Sequence, residues 1–137
     1  MPETTEQHRY GIRRRVSLPY DEAVHRVREA LKAQGFGVLT EIDVKATLKA
    51  KLDVDIEPYL ILGACNPSLA HRALAAEPEV GLLLPCNVVV REGEGGTVIE
   101  AMDPEAAMSL VANPAVHEVA VEAKQRVTRA LNALIEG

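Results

Sequence analysis

The sequence predicts an α+β fold, a two-layer domain in which helices cover one face of a mainly antiparallel sheet. Three observations predict it. The strand-like segments are joined by short connections, and a Gly-rich turn links two of them as a hairpin, which favours antiparallel pairing. Long amphipathic helical segments flank the strands and have one apolar stripe each, as expected for helices that pack on a sheet. We expect the order β-α-β4-α, with short extra helices.

The first half of the chain alternates strands with helices. "YGIRRRVSL" is typical of a strand, and "PYDEAVHRVREALKAQG" spaces its apolar residues as an amphipathic helix that Gly35 ends. "FGVLTEI" predicts a second strand, and "DVKATLKAKL" returns to helical spacing with Asp43 as its N-cap. "YLILGAC" predicts a third strand.

Helix starts in the second half are marked by a repeated dipeptide. Asn66, Asp103 and Asn113 each precede a proline, which combines a capping side chain with the residue favoured at the first helical position. The last of these helices is predicted to be about 30 Å long, enough to cross a sheet. "NVVVREGEGGTVIEAM" predicts a hairpin. Because proline cannot donate to a sheet ladder, Pro85 is expected to mark the start of the first hairpin strand.

Length and composition predict one domain. The chain has 137 residues, of which 47% are hydrophobic but only 3% aromatic, with no Trp. A domain of this length can bury an adequate core without disulfides, and here Val, Leu, Ile and Ala must build it. We therefore expect an N-terminal tail over residues 1–9 and a single α+β domain over residues 10–137.

The charge and the N-terminal sequence restrict partners and location. A formal net charge of −5 and few aromatic residues argue against nucleic acid as a partner, and the run Arg13 to Arg15 is expected to point alternately to the two faces of a strand. No apolar segment is long enough to cross a membrane, since Pro85 and Asn87 interrupt the longest one. The polar start "MPETTEQHRY" lacks the apolar centre of a signal peptide, which favours a cytoplasmic location.

The two cysteines indicate the candidate site. Cys65 ends one apolar run and Cys86 lies within another, and each is followed by an asparagine. If their strands are antiparallel neighbours, the two thiols meet at one end of the sheet with sulfurs within about 4 to 8 Å. The candidate site is Cys65, Asn66, Cys86 and Asn87, with Glu41 as a nearby acid that has no evident structural role.

Three functions remain open for this site. The first is a small-ligand binding or sensing module. The second is a thiol-redox enzyme, in which the amides at a helix start favour a nucleophilic Cys65 thiolate and Cys86 is the resolving cysteine. The third is an interaction subunit whose cysteines only fill the core.

Other chemistry finds little support. The serines lie outside any nucleophile-elbow motif, so no catalytic triad is indicated. The histidines are too dispersed to form a metal site with the thiols, and the acids of "DVDIE" are typical of a solvated strand face. The sequence names no cofactor.

Four segments together resemble domain-of-unknown-function family 302, a widespread prokaryotic family. They are "GFGVLTEIDV", "GACNPSLA", "PEVGLLLPCNVVV" and "AMDP", and the similarity extends over most of the chain from about Tyr10. The resemblance implies a compact α+β domain and a homodimer, but no agreed reaction, substrate or cofactor. The Ala- and Val-rich C-terminal helix also favours a homodimer, because its apolar residues could contact a second copy.

Overall fold

The computed structural model describes residues 4–7 and 9–135. Within these residues the fold has six strands, five α-helices and one 3₁₀ helix. They are β1 (Thr4–Gln7), β2 (Gly11–Val16), α1 (Tyr20–Ala33), β3 (Gly37–Asp43), α2 (Val44–Leu52), β4 (Tyr59–Cys65), α3 (Pro67–Ala76), the 3₁₀ helix Pro78–Leu83, β5 (Cys86–Gly93), β6 (Gly96–Met102), α4 (Pro104–Met108) and α5 (Pro114–Ala133).

The strands form one antiparallel sheet in the order β1-β2-β6-β5-β4-β3. This confirms the α+β class and the antiparallel pairing. The sequence assigned residues 1–9 to a tail, whereas the structure pairs four of them, Thr4–Gln7, with β2 at the sheet edge. Their polar composition lacks the alternation by which a strand is recognised.

The three proline-marked helices begin where the sequence predicts. The side chain of Asn66 accepts a hydrogen bond from Leu69 N, and Asp103 and Asn113 cap α4 and α5 in the same way. In each case a proline occupies the first turn, where its missing N–H has no helical partner to lose. Asp43 likewise caps α2 through Ala46 N.

The buried apolar residues form two clusters. The main cluster lies between the sheet and the helices α1 and α5, with Leu62, Val88 and Ile99 facing Val27 and Leu131. The second cluster joins α3, the 3₁₀ helix, α4 and the N-terminal half of α5. Helix α5 thus belongs to both clusters and connects the two halves of the core.

The apolar stripe of α5 is used within the chain. Seven of its apolar residues are buried in the two clusters, namely Val116, Val119, Ala120, Ala123, Val127, Ala130 and Leu131, whereas Val121 is 42% exposed. The helix therefore does not offer the broad apolar surface on which the sequence argument for a homodimer depended. The sheet and α3 take up that surface instead.

The arginines of β2 alternate as expected. Arg14 is buried on the helix side, where its Nη2 and Nε donate to Asn132 Oδ1 on α5 at 2.7 and 3.2 Å. Arg13 and Arg15 lie on the other side of the sheet, since side chains alternate along a strand. The run Arg13 to Arg15 is therefore part of the sheet.

Candidate functional site

The candidate site lies at the end of the sheet where β4 finishes and β5 begins. The two strands are antiparallel neighbours, with Ala64 opposite Cys86 and Gly63 opposite Asn87. Regular pairing on β5 begins at Cys86, immediately after Pro85, as the proline predicts. Both Cys-Asn dipeptides are therefore at this end of the sheet.

A cavity of about 380 Å³ opens at this sheet end, between the two core clusters. Phe36 and Ala64 of the main cluster line one side. Met108, Val116 and further residues of the second cluster line the other. Helix α3 and the segment that follows it cover the cavity, and the lining is almost wholly apolar.

Small side chains on two helices leave the space open. Ala70 and Ala73 on α3, and Ala120 and Ala123 on α5, all line the cavity. Residues three apart lie on the same face of a helix, so each pair removes bulk from one face. Larger residues at these four positions would extend into the cavity.

The cavity reaches the surface beside two leucines. Leu39 and Leu74 both line it, and they are 68% and 39% exposed. Leu39 lies at an irregularity of β3, where the register with β4 shifts between Val38 and Thr40. A local bulge of this kind turns a side chain away from the regular alternation. We take these two leucines as the entrance.

The two cysteines line the same cavity but are not near each other. Cys86 faces the same side of the sheet as its partner Ala64, whereas Cys65, one residue further along β4, points to the other side. The cavity meets both thiols because residues from both sides of the sheet line it, so it extends around the end of the strands. The expectation of a close cysteine pair is therefore wrong, and the resolving-cysteine mechanism fails with it.

The Cys86 thiol is protonated at neutral pH. Burial raises the pKa of this thiol to about 11 from an ordinary value of 9.0, and the charge of Cys65 contributes less. Burial acts in this direction because an apolar environment disfavours the thiolate. Since the thiolate is the nucleophile and metal ligand, Cys86 acts here as an apolar wall residue with a weak S–H donor.

Asn66 lines the cavity with its polar atoms already bonded. Its Oδ1 accepts from Leu69 N at 3.3 Å, and its Nδ2 donates to Gln34 O at 3.4 Å. The side chain thus caps α3 and ties it to the end of α1. This leaves Asn66 a structural part of the wall.

The remaining two candidates lie outside the cavity lining. Asn87 is exposed on β5, opposite Gly63. Glu41 is exposed on β3 and forms an ion pair with Arg28 of α1, which is the structural role that the sequence did not show. Of the predicted site residues, Cys65, Asn66 and Cys86 line the cavity.

Sequence reasoning missed the residues that give the site its shape. Thr40 lines the cavity beside Cys65, and the paired alanines of α3 and α5 create its volume. The alanine spacing of three on two separate helices is a signal in the sequence, but it also fits ordinary close packing of helices. A cavity wall differs from ordinary close packing only in the gap that remains between α3 and the sheet, and the sequence does not show this gap.

Within residues 4–7 and 9–135, no group of three or more His, Cys, Asp or Glu side chains is placed to hold a metal ion. Among the helices in the same part of the chain, none has the length and apolar character that spanning a membrane requires. The described residues that line the cavity include no charged side chain.

Comparison with known proteins identifies the family. The model of the domain of unknown function DUF302 matches residues 12–134. The crystal structure of an uncharacterised conserved DUF302 protein from Bacillus stearothermophilus is similar, with 34% sequence identity and a TM-score of 0.85 over 90% of this chain and 97% of that one. No curated protein matches the chain. The chain therefore belongs to the DUF302 family.

Proposed function

We propose that the protein binds a small, largely apolar molecule in the cavity at the β4–β5 end of the sheet. The observation that carries this proposal is the cavity itself, which has about 380 Å³ of space and no charge among its described lining residues. Apolar cavities of about 150 Å³ stay dry and bind molecules such as benzene. A cavity more than twice as large accommodates roughly 10 to 15 non-hydrogen atoms on the same scale.

The chemistry of the lining supports binding over thiol catalysis. Cys86 carries its proton at neutral pH, and Cys65 has no nearby thiol with which to exchange. Pockets that bind small molecules are typically apolar with a few polar groups, as this one is. A binding role needs only that the molecule fit the cavity.

The proposal can be tested with 1-aminonaphthalene, a probe that is uncharged at neutral pH, fits within this size and changes its fluorescence in apolar surroundings. We expect saturable binding to the wild-type protein. Ala120→Leu should reduce it by at least about tenfold, since the added side chain occupies the cavity from α5. Ala133→Leu, the same substitution at an exposed position of the same helix, is the matched control and should bind as the wild type does.

The results also separate this proposal from the interaction-subunit alternative. Loss of binding in Ala120→Leu, with an unchanged circular dichroism spectrum, supports a site in the cavity. Absence of saturable binding to the wild type, or equal binding by both variants, contradicts it. Mass spectrometry of gently purified protein would identify a molecule that remains bound through purification.

The protein is further proposed to act as a homodimer, in line with the resemblance described above. Ile42, Ile61 and Val89 form a row across three strands on the side of the sheet that faces away from the main core cluster. Ile42 is 49% exposed. An apolar row of this kind suits a two-fold interface, in which the same patch contacts its copy.

Sedimentation at micromolar concentration tests the homodimer. We expect twice the mass of the chain for the wild type and a shift towards monomer for Ile42→Asp, because the interface would bury the new carboxylate. Leu110→Asp is the control, since Leu110 is 83% exposed and lies outside the sheet. A monomeric wild type, or equal behaviour of the two variants, contradicts the proposal.

A further inference from the structure

We infer that the molecule bound in the cavity is an uncharged aliphatic compound with one hydrogen-bonding oxygen, such as a medium-chain alcohol or ketone, and that Thr40 selects it. This inference rests on the proposed function, because it specifies the ligand of the same cavity. It follows from the distribution of polar groups along the lining.

A charged ligand would lose its hydration without compensation. The described lining residues include no Lys, Arg or His to pair with a carboxylate, and no Asp or Glu to pair with an amine. Arg126, the nearest arginine of α5, instead donates to Gln34 O and pairs with Glu122 outside the lining. Burial of an unpaired charge is strongly unfavourable, so fatty-acid carboxylates and amines fit poorly.

The lining has four polar side chains, those of Thr40, Cys65, Asn66 and Cys86. Asn66 is engaged at both polar atoms, and Cys86 is a protonated thiol among apolar groups. Thr40 and Cys65 remain as groups that can contact a ligand oxygen. Thr40 is the stronger of the two, because a hydroxyl both donates and accepts hydrogen bonds whereas a thiol does so weakly.

Gly63 leaves room for the Thr40 side chain at the edge of the cavity. Thr40 lies opposite Gly63, and a Cβ on that glycine would come within 2.1 Å of Thr40 Oγ1 and 3.0 Å of Pro85 Cγ. The absence of a side chain thus lets the threonine hydroxyl lie across β4. Cys65 is two residues along the same strand, on the same side of the sheet. Thr40 is exposed, so its hydroxyl lies at the open rim of the cavity.

The part of the cavity that the second cluster lines is apolar. Leu69, Met108, Val116 and Ala120 belong to the second cluster and offer only carbon and a thioether sulfur. A ligand with an aliphatic body and one oxygen therefore has a single favourable orientation, with its body against α5 and its oxygen at Thr40. A hydrogen bond of this kind raises affinity by about two- to tenfold.

The test compares how strongly four competitors, three uncharged and one charged, displace a fluorescent probe from the wild type and from variants of Thr40. Bound 1-aminonaphthalene is displaced by 1-octanol, 2-octanone, octanoate or butylbenzene. We expect 1-octanol and 2-octanone to bind at least about tenfold more tightly than octanoate. Thr40→Val, which keeps the shape but removes the hydroxyl, should weaken both neutral oxygen compounds about two- to tenfold and leave butylbenzene unchanged.

Two further variants keep this test decisive. Thr40→Ser retains a hydroxyl and should restore binding of 1-octanol, whereas Thr128→Val, on α5 outside the cavity lining, should have no effect. Equal loss of 1-octanol and butylbenzene in Thr40→Val, no loss of either, or octanoate binding as tightly as 1-octanol overturns the ligand class while the cavity remains a binding site. If no probe binds the wild type, the proposed function and this inference both fail.

Discussion

Cys86 lies directly opposite Ala64 in the β4–β5 ladder, so its side chain and that of Cys65 leave the sheet on different sides. The same end of the sheet therefore carries both thiols without bringing them into contact. The cavity that bends around this end is the feature they share. Their role is in the wall of that cavity, and they are too far apart to act as a redox couple.

The first prediction concerns oxidation. Treatment of the native protein with diamide should give no intramolecular disulfide between Cys65 and Cys86, because a disulfide requires adjacent and correctly directed Cβ atoms. Mass spectrometry without reduction detects a disulfide as a decrease in mass of two hydrogens. We expect no such decrease. Protein unfolded in guanidinium chloride is the positive control. A disulfide that forms readily in the native protein would contradict the register described above.

The second prediction follows from the raised pKa of Cys86. The folded protein holds this proton up to about pH 11, whereas the unfolded chain releases it near the ordinary value of 9.0. Between these values the folded state binds more protons, so the free energy of unfolding falls as pH rises. The wild type should lose about 2 to 3 kcal/mol more than Cys86→Ala between pH 8.5 and 11.

Urea denaturation at several pH values measures this difference. Below pH 8 the thiol is protonated in both states, and the gap between wild type and Cys86→Ala should be constant. Comparison of the two proteins removes the contribution of lysines and tyrosines that titrate in the same range. A gap that stays constant up to pH 11 would mean that Cys86 is not buried as described.

The third prediction concerns the link between β2 and α5. Asn132→Ala should lower the free energy of unfolding by about 2 to 3 kcal/mol, because two hydrogen bonds to the buried Arg14 guanidinium are lost. Burial already lowers the pKa of Arg14, in keeping with a guanidinium that depends on this partner. Asn132→Asp retains an acceptor oxygen and should be at least as stable as the wild type. A cost below about 0.5 kcal/mol for the alanine variant would contradict this role.

The fourth prediction concerns the start of α4, beside the cavity. Asp103 is buried, accepts hydrogen bonds from Glu105 N and Ala106 N, and pairs with Lys124 Nζ at 2.9 Å. Asp103→Ala should cost about 2 to 4 kcal/mol, since both the cap and the ion pair are lost. Asp103→Asn keeps the capping oxygen and should cost less. Equal stability of the two variants in guanidinium chloride would show that the cap contributes nothing.

Local chemistry in the sequence determined where the elements begin and how the strands pair. Asn66, Asp103 and Asn113 cap their helices because a side-chain oxygen and the following proline act within one turn of chain. Pro85 marks the start of β5 for a similarly local reason, because proline has no N–H to donate to the strand ladder. Short connections then predicted antiparallel neighbours, and β4 and β5 are such a pair.

The tertiary structure alone decided which side chains share a site. A shift of one residue in register moves a side chain to the other face of the sheet, and the path of α3 and the 3₁₀ helix between β4 and β5 places Ala64, and not Cys65, opposite Cys86. The partners of Glu41 and Arg14 come from helices distant in sequence. The cavity likewise lies where α3 covers the end of the sheet beside α5, with small residues of both helices in its wall, a relation between elements that no local pattern encodes.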